Sequence, residues 1–327
     1  MLPAADMADS PLAVLVRPPI GWILALVWGA LWGSFCNVAI YRIGRIAQEE
    51  DAWWEAQPED APGSFLTLER AHLGWVWRAL RSLVDPARSH CPRCGALIRA
   101  RDNLPLAGWL LLRGRCRDCH APISPRYPLI EAGAAALAAA VYLRFVALAP
   151  AEPIIQVSRF FVYFGFAAVL LVLTAIDLET LLLPDAITYP AIPAFFLAGR
   201  CLPDVSTGDA ALGLGLGYAG LQGLALGWRL ATGRDALGGG DAKLLALVGG
   251  LLGWRALPWT LLGGAILGLV IALPLLAWQR WRGEQHEGQA LTQIPVPFGP
   301  ALATAALAYL FFGRALNEFF FAGLGAG

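Results

Sequence analysis

The sequence predicts an all-α polytopic membrane protein with about eight transmembrane helices. Three observations carry that fold class. Only 15% of the 327 residues are charged and 57% are hydrophobic, whereas a soluble domain usually carries about a quarter charged residues. The apolar residues gather into long uncharged runs, close to the roughly 20 residues that a helix needs to cross the hydrocarbon. Basic residues concentrate in one stretch, with thirteen of the 24, all arginines, between Arg42 and Arg126.

The expected spans follow in order. Residues 20–41 form the first, 22 residues without a charge. The second, 129–149, contains Glu131 and Arg144, and the third, 160–176, runs straight into Asp177. The fourth, 186–199, is short, and Pro184, Pro190 and Pro193 make it irregular. Residues 210–228 supply the fifth and 244–254 a short sixth; 256–279 and 294–313 complete the set. An arginine-rich loop beside transmembrane helices stays cytoplasmic, which places 42–128 inside and 1–19, 150–159 and 200–209 outside. The other inside loops then carry Arg229, Arg234, Arg280 and Arg282, in agreement. Residues 1–19 carry two aspartates and lack a positive start, so no cleavable signal peptide is expected. Net charge is zero, and no nucleic-acid partner is indicated. The bilayer is the partner that composition demands.

Four of the six cysteines pair as Cys91-Pro-Arg-Cys94 and Cys116-Arg-Asp-Cys119, with 21 residues between the pairs. Two such pairs read as two knuckles giving four thiolates to a structural zinc. A reducing cytoplasm argues against two disulfides; a redox pair or four unrelated thiols are the other readings. The expectation is a small cytoplasmic zinc-binding module inserted after the first helix. Cys36 and Cys201 stand singly in apolar surroundings and are expected to be buried. Within "GWVWRALRSLV", Trp75, Leu80 and Leu83 alternate with Arg78 and Arg81, which suits a helix on the membrane surface or one packed on the zinc module.

Acids at membrane depth are costly and therefore point to function. Asp177 ends one apolar run, and Asp241 follows Gly238, Gly239 and Gly240 at the mouth of another. The two intervening spans return the chain to the same face, so the carboxylates can meet. Two carboxylates a few ångströms apart in a poorly hydrated site share a proton. The ionised member can take a proton from water while the protonated member polarises a carbonyl, which is aspartic-protease chemistry. The three glycines would let an extended peptide approach closely. Read alone, they suit a flexible loop equally well, and Asp177 alone suits an interfacial helix end. Lys243, the only lysine, pairs with an acid or with a lipid headgroup.

Several stretches resemble the bacterial prepilin peptidases, the type IV leader peptidases of pilus and type II secretion systems. "GSFCNVAIYR" at 33–42 is similar to their amino-terminal signature, and 91–131 to their zinc-bearing domain. "DLETLLLPD" at 177–185 and "GGGD" at 238–241 resemble the two aspartate motifs, the second being the GxGD of presenilin-type proteases. "PFGPALA" at 297–303 is similar to the closing segment. The resemblance implies that Asp177 and Asp241 are catalytic. It implies cleavage of prepilins and pseudopilins after the leader glycine, at the cytoplasmic face of the bacterial inner membrane. It further implies methylation of the new amino terminus with S-adenosylmethionine, with Gly114 and Arg115 at the positions tied to that activity. Arg115 stands where lysine is common, and Glu179-Thr180 where histidine-glutamine is common.

The domains expected are thus 1–41, an amino-terminal segment and first span; 42–128, the cytoplasmic zinc-binding domain; and 129–327, a transmembrane aspartic protease domain. Three other readings remain at this stage: a peptidase whose cytoplasmic domain only docks substrate, a proton-coupled transporter using the two acids as a relay, and a non-catalytic assembly factor.

Overall fold

Helices make up nearly all of the computed structural model, which describes residues 16–57, 65–86, 88–233, 238–282 and 297–321. Among these residues the only strand-like pairings are two isolated bridges. Among the described residues, six helical stretches are long and apolar enough to cross a membrane: Ile20–Glu55, Arg126–Ala147, Pro153–Thr180, Thr207–Thr232, Ala256–Pro274 and Gly299–Phe319. The two short segments are helices of 15 residues, Asp185–Gly199, and 14 residues, Gly239–Leu252. At 1.5 Å per residue they reach about 22 and 21 Å, short of the ~30 Å hydrocarbon thickness. Two prolines interrupt the first, and Gly253 at φ +84° ends the second.

The chain divides into two compact units, Met1–Val172 and Leu173–Gly327, with the division inside one helix. In the first unit, α1 (Ile20–Glu55) crosses α4 (Arg126–Tyr142) along a seam of small residues. A Cβ on Gly29 would lie 2.6 Å from the Ala138 methyl, and one on Gly33 would lie 2.7 Å from the Glu131 Cα. Backbones this close need glycine on at least one side, the usual device for joining helices in lipid. The α1 helix does not stop where its apolar run ends but continues unbroken to Glu55.

Beyond Arg42, α2 (Phe65–Ser82) runs antiparallel to this extension of α1. Arg42 donates to the Ser82 carbonyl, Arg78 pairs with Glu49 at 2.7 Å, and the Trp53 and Trp75 rings stand 6.5 Å apart. The segment expected on the membrane surface or on the zinc module thus docks on α1. Its charged residues find partners on the acidic stretch that follows the first span, with His72 to Glu50 at 2.9 Å adding another contact. A short helix, α3 (Ala107–Leu111), lies between the cysteine pairs.

In the second unit the sequence Gly239–Leu252, here α9, is the central helix. Its residues 244–251 are all buried or nearly so. Around it pack α6 (Asp185–Gly199), α7 (Thr207–Gly215), α8 (Leu221–Thr232), α10 (Ala256–Arg282) and α11 (Gly299–Phe321). The carboxyl-terminal turns of α5 (Pro153–Thr180) also belong to this unit. Glycines again set the closest approach. A Cβ on Gly213 of α7 would lie 2.3 Å from the Gly249 carbonyl oxygen, and one on Gly217 would lie 2.5 Å from that of Leu245. Gly213→Leu is therefore expected to cost about 3 kcal/mol of stability through overpacking, read as a lower melting temperature in detergent. An unchanged melting temperature would contradict this seam.

Candidate active site and cysteine cluster

The segment 177–185 folds as a helix end, a turn and a helix start. Thr180 closes α5 by donating from its hydroxyl to the Ile176 carbonyl and accepting from the Leu182 N–H at 3.2 Å. Leu181 adopts φ +58°, and Pro184, extended at ψ 131°, leads into α6. Asp177 therefore sits on the last turn of α5. It is only 5% exposed, and among the described residues its Oδ2 has no hydrogen-bonding partner. A buried acceptor left unpaired costs about 1–3 kcal/mol, so a fold retains one for a reason other than stability.

Gly299, the first residue of α11, packs against this carboxylate. A Cβ there would lie 2.6 Å from Asp177 Oδ2 and 3.3 Å from Leu183 Cδ2. Asp177 thus lies at a helix amino terminus, where N–H groups and the dipole favour negative charge.

Asp241 occupies the first turn of α9 and is partly buried. Its carboxylate lies within electrostatic range of Asp177. Leu183 neighbours both: its Cδ2 lies 3.3 Å from where a Gly299 Cβ would be, beside one acid, and its Cβ lies 2.9 Å from where a Gly240 Cβ would be, next to the other. The structure therefore brings the two aspartates around one leucine. The three glycines divide by role. Gly240 is fixed by the Leu183 contact, whereas Gly238 and Gly239 are exposed, and a Cβ on Gly239 would meet nothing within 4 Å.

Lys243, two residues beyond Asp241, pairs with Asp185 and lies 4.7 Å over the Tyr189 ring. Its partner is thus an acid on α6, and the pair ties the start of α6 to the start of α9. Sequence reasoning missed Gly299. The available signal was the Gly-Pro step before an apolar run, which marks a helix start with free N–H groups.

In the first unit, the Sγ atoms of Cys91, Cys94, Cys116 and Cys119 all lie within 4.8 Å of one another. Cys91 and Cys119 are 3.9 Å apart, close to the roughly 3.8 Å edge of a tetrahedron with 2.3 Å metal–sulfur bonds. The two pairs fold alike. Cys91 N–H donates to Ala96 and Gly95 N–H to Cys91, while Cys116 N–H donates to Ala121 and His120 N–H to Cys116. Gly95 at φ +71° and His120 at φ +58° hold the same left-handed corner. Backbone N–H groups of Cys94 and Arg93 pull the Cys91 thiol down to about 7, favouring the thiolate that binds metal. The donor set and geometry could hold one tetrahedral metal ion.

Gly114 opens the second knuckle at φ +66°, with the Trp109 ring 2.9 Å from where its Cβ would be. Its N–H donates to Trp109 and its carbonyl accepts from Ile123. The residue is committed to the turn, and Arg115 beside it is exposed. This pair forms no cradle for a methyl donor. Cys36 is buried as expected, but Cys201 is exposed: the chain turns after α6 and Leu202 takes the inward place.

An all-helical, multi-pass membrane protein with a four-cysteine module and a pair of acids at helix ends is the class defined by fold and site. Residues 27–145 match the bacterial peptidase A24 amino-terminal domain, and residues 164–273 match the type IV leader peptidase family. Relatives extend over nearly the whole chain. A prepilin leader peptidase/N-methyltransferase of Burkholderia pseudomallei is 36% identical over 95% of this chain and 92% of its own length. Those of Aeromonas hydrophila and Pectobacterium carotovorum are 35% and 38% identical, covering 93% and 92% of this chain and 94% and 95% of theirs. No solved structure matches significantly. The chain belongs to the type IV leader peptidase family.

Proposed function

We propose that the protein cleaves prepilins and pseudopilins after the leader glycine, at the cytoplasmic boundary of the bacterial inner membrane, and then methylates the new amino terminus. Membership in the family and the names of the relatives support both reactions. For the cleavage, the residue assignment is supported by Asp177, buried at the end of α5, and Asp241, in the first turn of α9; their neighbours Gly299 and Gly240 both approach Leu183.

In this reading the ionised aspartate removes a proton from the water as its oxygen attacks the scissile carbonyl carbon. The protonated aspartate donates its hydrogen to the carbonyl oxygen. The tetrahedral intermediate then collapses: one hydroxyl gives its proton to the aspartate that donated one, the carbon–nitrogen bond breaks, and the leaving amine takes the proton held by the other aspartate. Gly299 packs against the Asp177 carboxylate, and the exposed Gly238 and Gly239 leave room for an extended peptide. Incubation of the purified protein with a prepilin and labelled S-adenosylmethionine tests both halves. The expected result is a shortened pilin carrying label; cleavage without label would remove the methylation, and neither would remove the whole reading.

The metal in the cysteine module is zinc, held by Cys91, Cys94, Cys116 and Cys119 in a structural role. Cys91→Ser is expected to lower the zinc content per chain and to destabilise the cytoplasmic module, as removal of one thiolate weakens a closed tetrahedral site. Elemental analysis of the purified variant checks this, and unchanged zinc would overturn the four-thiolate site.

A further inference from the structure

Depth in the bilayer can be measured along α1, whose uncharged run ends at Arg42. Gly33 packs on the Cα of Glu131, so Glu131 lies level with a residue nine positions before Arg42, about 13 Å deeper at 1.5 Å per residue. Tyr127 is placed independently: its carbonyl accepts from the Asn37 side chain at 3.0 Å, five positions before Arg42. The start of α4 therefore lies below the level at which α1 meets its first charge.

The cysteine module reaches down to this depth. The buried Glu131 carboxylate accepts a hydrogen bond of 2.7 Å from the Leu106 backbone N–H. A glutamate side chain extended toward Arg42 returns only about 5 Å, one helical turn, so Leu106 still lies inside the Arg42 level. Leu106 immediately precedes α3, whose Leu110 and Leu111 are 65% and 74% exposed; Leu104 on the other side is 52% exposed. Exposed leucines at such a level do not face water. Arg99, Arg101 and Arg113, also exposed, flank the same segment.

We propose that residues 104–111 of the cysteine module are embedded in the membrane boundary, with Leu104, Leu110 and Leu111 among lipid acyl chains and the flanking arginines at anionic headgroups. The occupant of this apolar surface is the bilayer that surrounds α1 and α4: the surface is continuous with the lipid-facing start of α4, where Leu129 is 68% exposed. Apolar side chains bordered by arginine suit the interface of an anionic leaflet. Glu131 acts as the tether that sets the depth.

The test uses the full-length protein in vesicles of phosphatidylethanolamine and phosphatidylglycerol, with the photo-cross-linker p-benzoylphenylalanine at position 111, 110 or 77. Trp77 is exposed on α2, whose neighbour Arg78 pairs with Glu49 on the water side of Arg42. Bilayer insertion and leader cleavage report that each variant is folded, and position 110 stands in if 111 does not tolerate the change. Mass spectrometry should find lipid adducts at 111 and 110 and none at 77. Lipid adducts equal at all three positions, no lipid adduct at 111 and 110, or protein adducts there in place of lipid would each overturn the proposal. The last would identify the surface as a protein dock.

Discussion

Asp177→Asn abolishes leader cleavage in this account, and Asp241→Asn does the same, each with a loss of about 10⁴-fold in kcat, the upper range for general acid–base catalysis. Asparagine keeps the shape of aspartate but can neither accept a proton from water nor deliver one to a carbonyl. Both variants should insert and melt as the native protein does, because asparagine keeps the size and shape of the side chain it replaces. Cleavage of a prepilin in detergent, followed by gel mobility, is the measurement. Full processing by either variant would remove that residue from the mechanism.

Gly299→Ala is the second change expected to have a large effect, although it alters no ionisable group. The added methyl would stand 2.6 Å from Asp177 Oδ2 and 3.2 Å from its carboxyl carbon, where ordinary contact begins near 3.4 Å. Either the carboxylate or the start of α11 must shift by nearly 1 Å. Misplacement of a reacting group by that distance costs on the order of 10²-fold in rate. The loss should appear in kcat with KM little changed, since Gly299 holds a carboxylate rather than the peptide. A native kcat for Gly299→Ala would show that the contact between α11 and Asp177 does not position the acid.

The parts of the fold legible in the sequence are those set by bulk hydrophobicity. Five uncharged runs, together with the interrupted run at 129–149, correspond to the six long helices, because lipid forces every backbone group in a span into a helix. The four cysteines were legible because so few side chains bind metal and their spacing fixes the knuckle. The two acids stood out because a carboxylate is conspicuous at the end of an apolar helix. What could not be read was pairing at a distance. Nothing local shows that Gly213 meets Gly249, that Lys243 chooses Asp185 over a lipid, or that Gly299 supports Asp177, since each depends on which helices become neighbours. The continuation of α1 to Glu55 was hidden for a different reason. Its polar residues end the membrane signal while remaining good helix formers, and α2 supplies the contacts that hold them.

Joint action of the two acids on one water is the central claim, and a peptide spanning the leader junction, with a hydroxyethylene group in place of the scissile amide, tests it most directly. Its hydroxyl should occupy the water position between the carboxylates, as transition-state mimics do. The account predicts tight binding to the native protein, a near-complete loss of that affinity in D177N and in D241N, and no further loss in the double variant, since the two groups act as a unit. Native affinity in either single variant, or losses that add fully in the double, would contradict it.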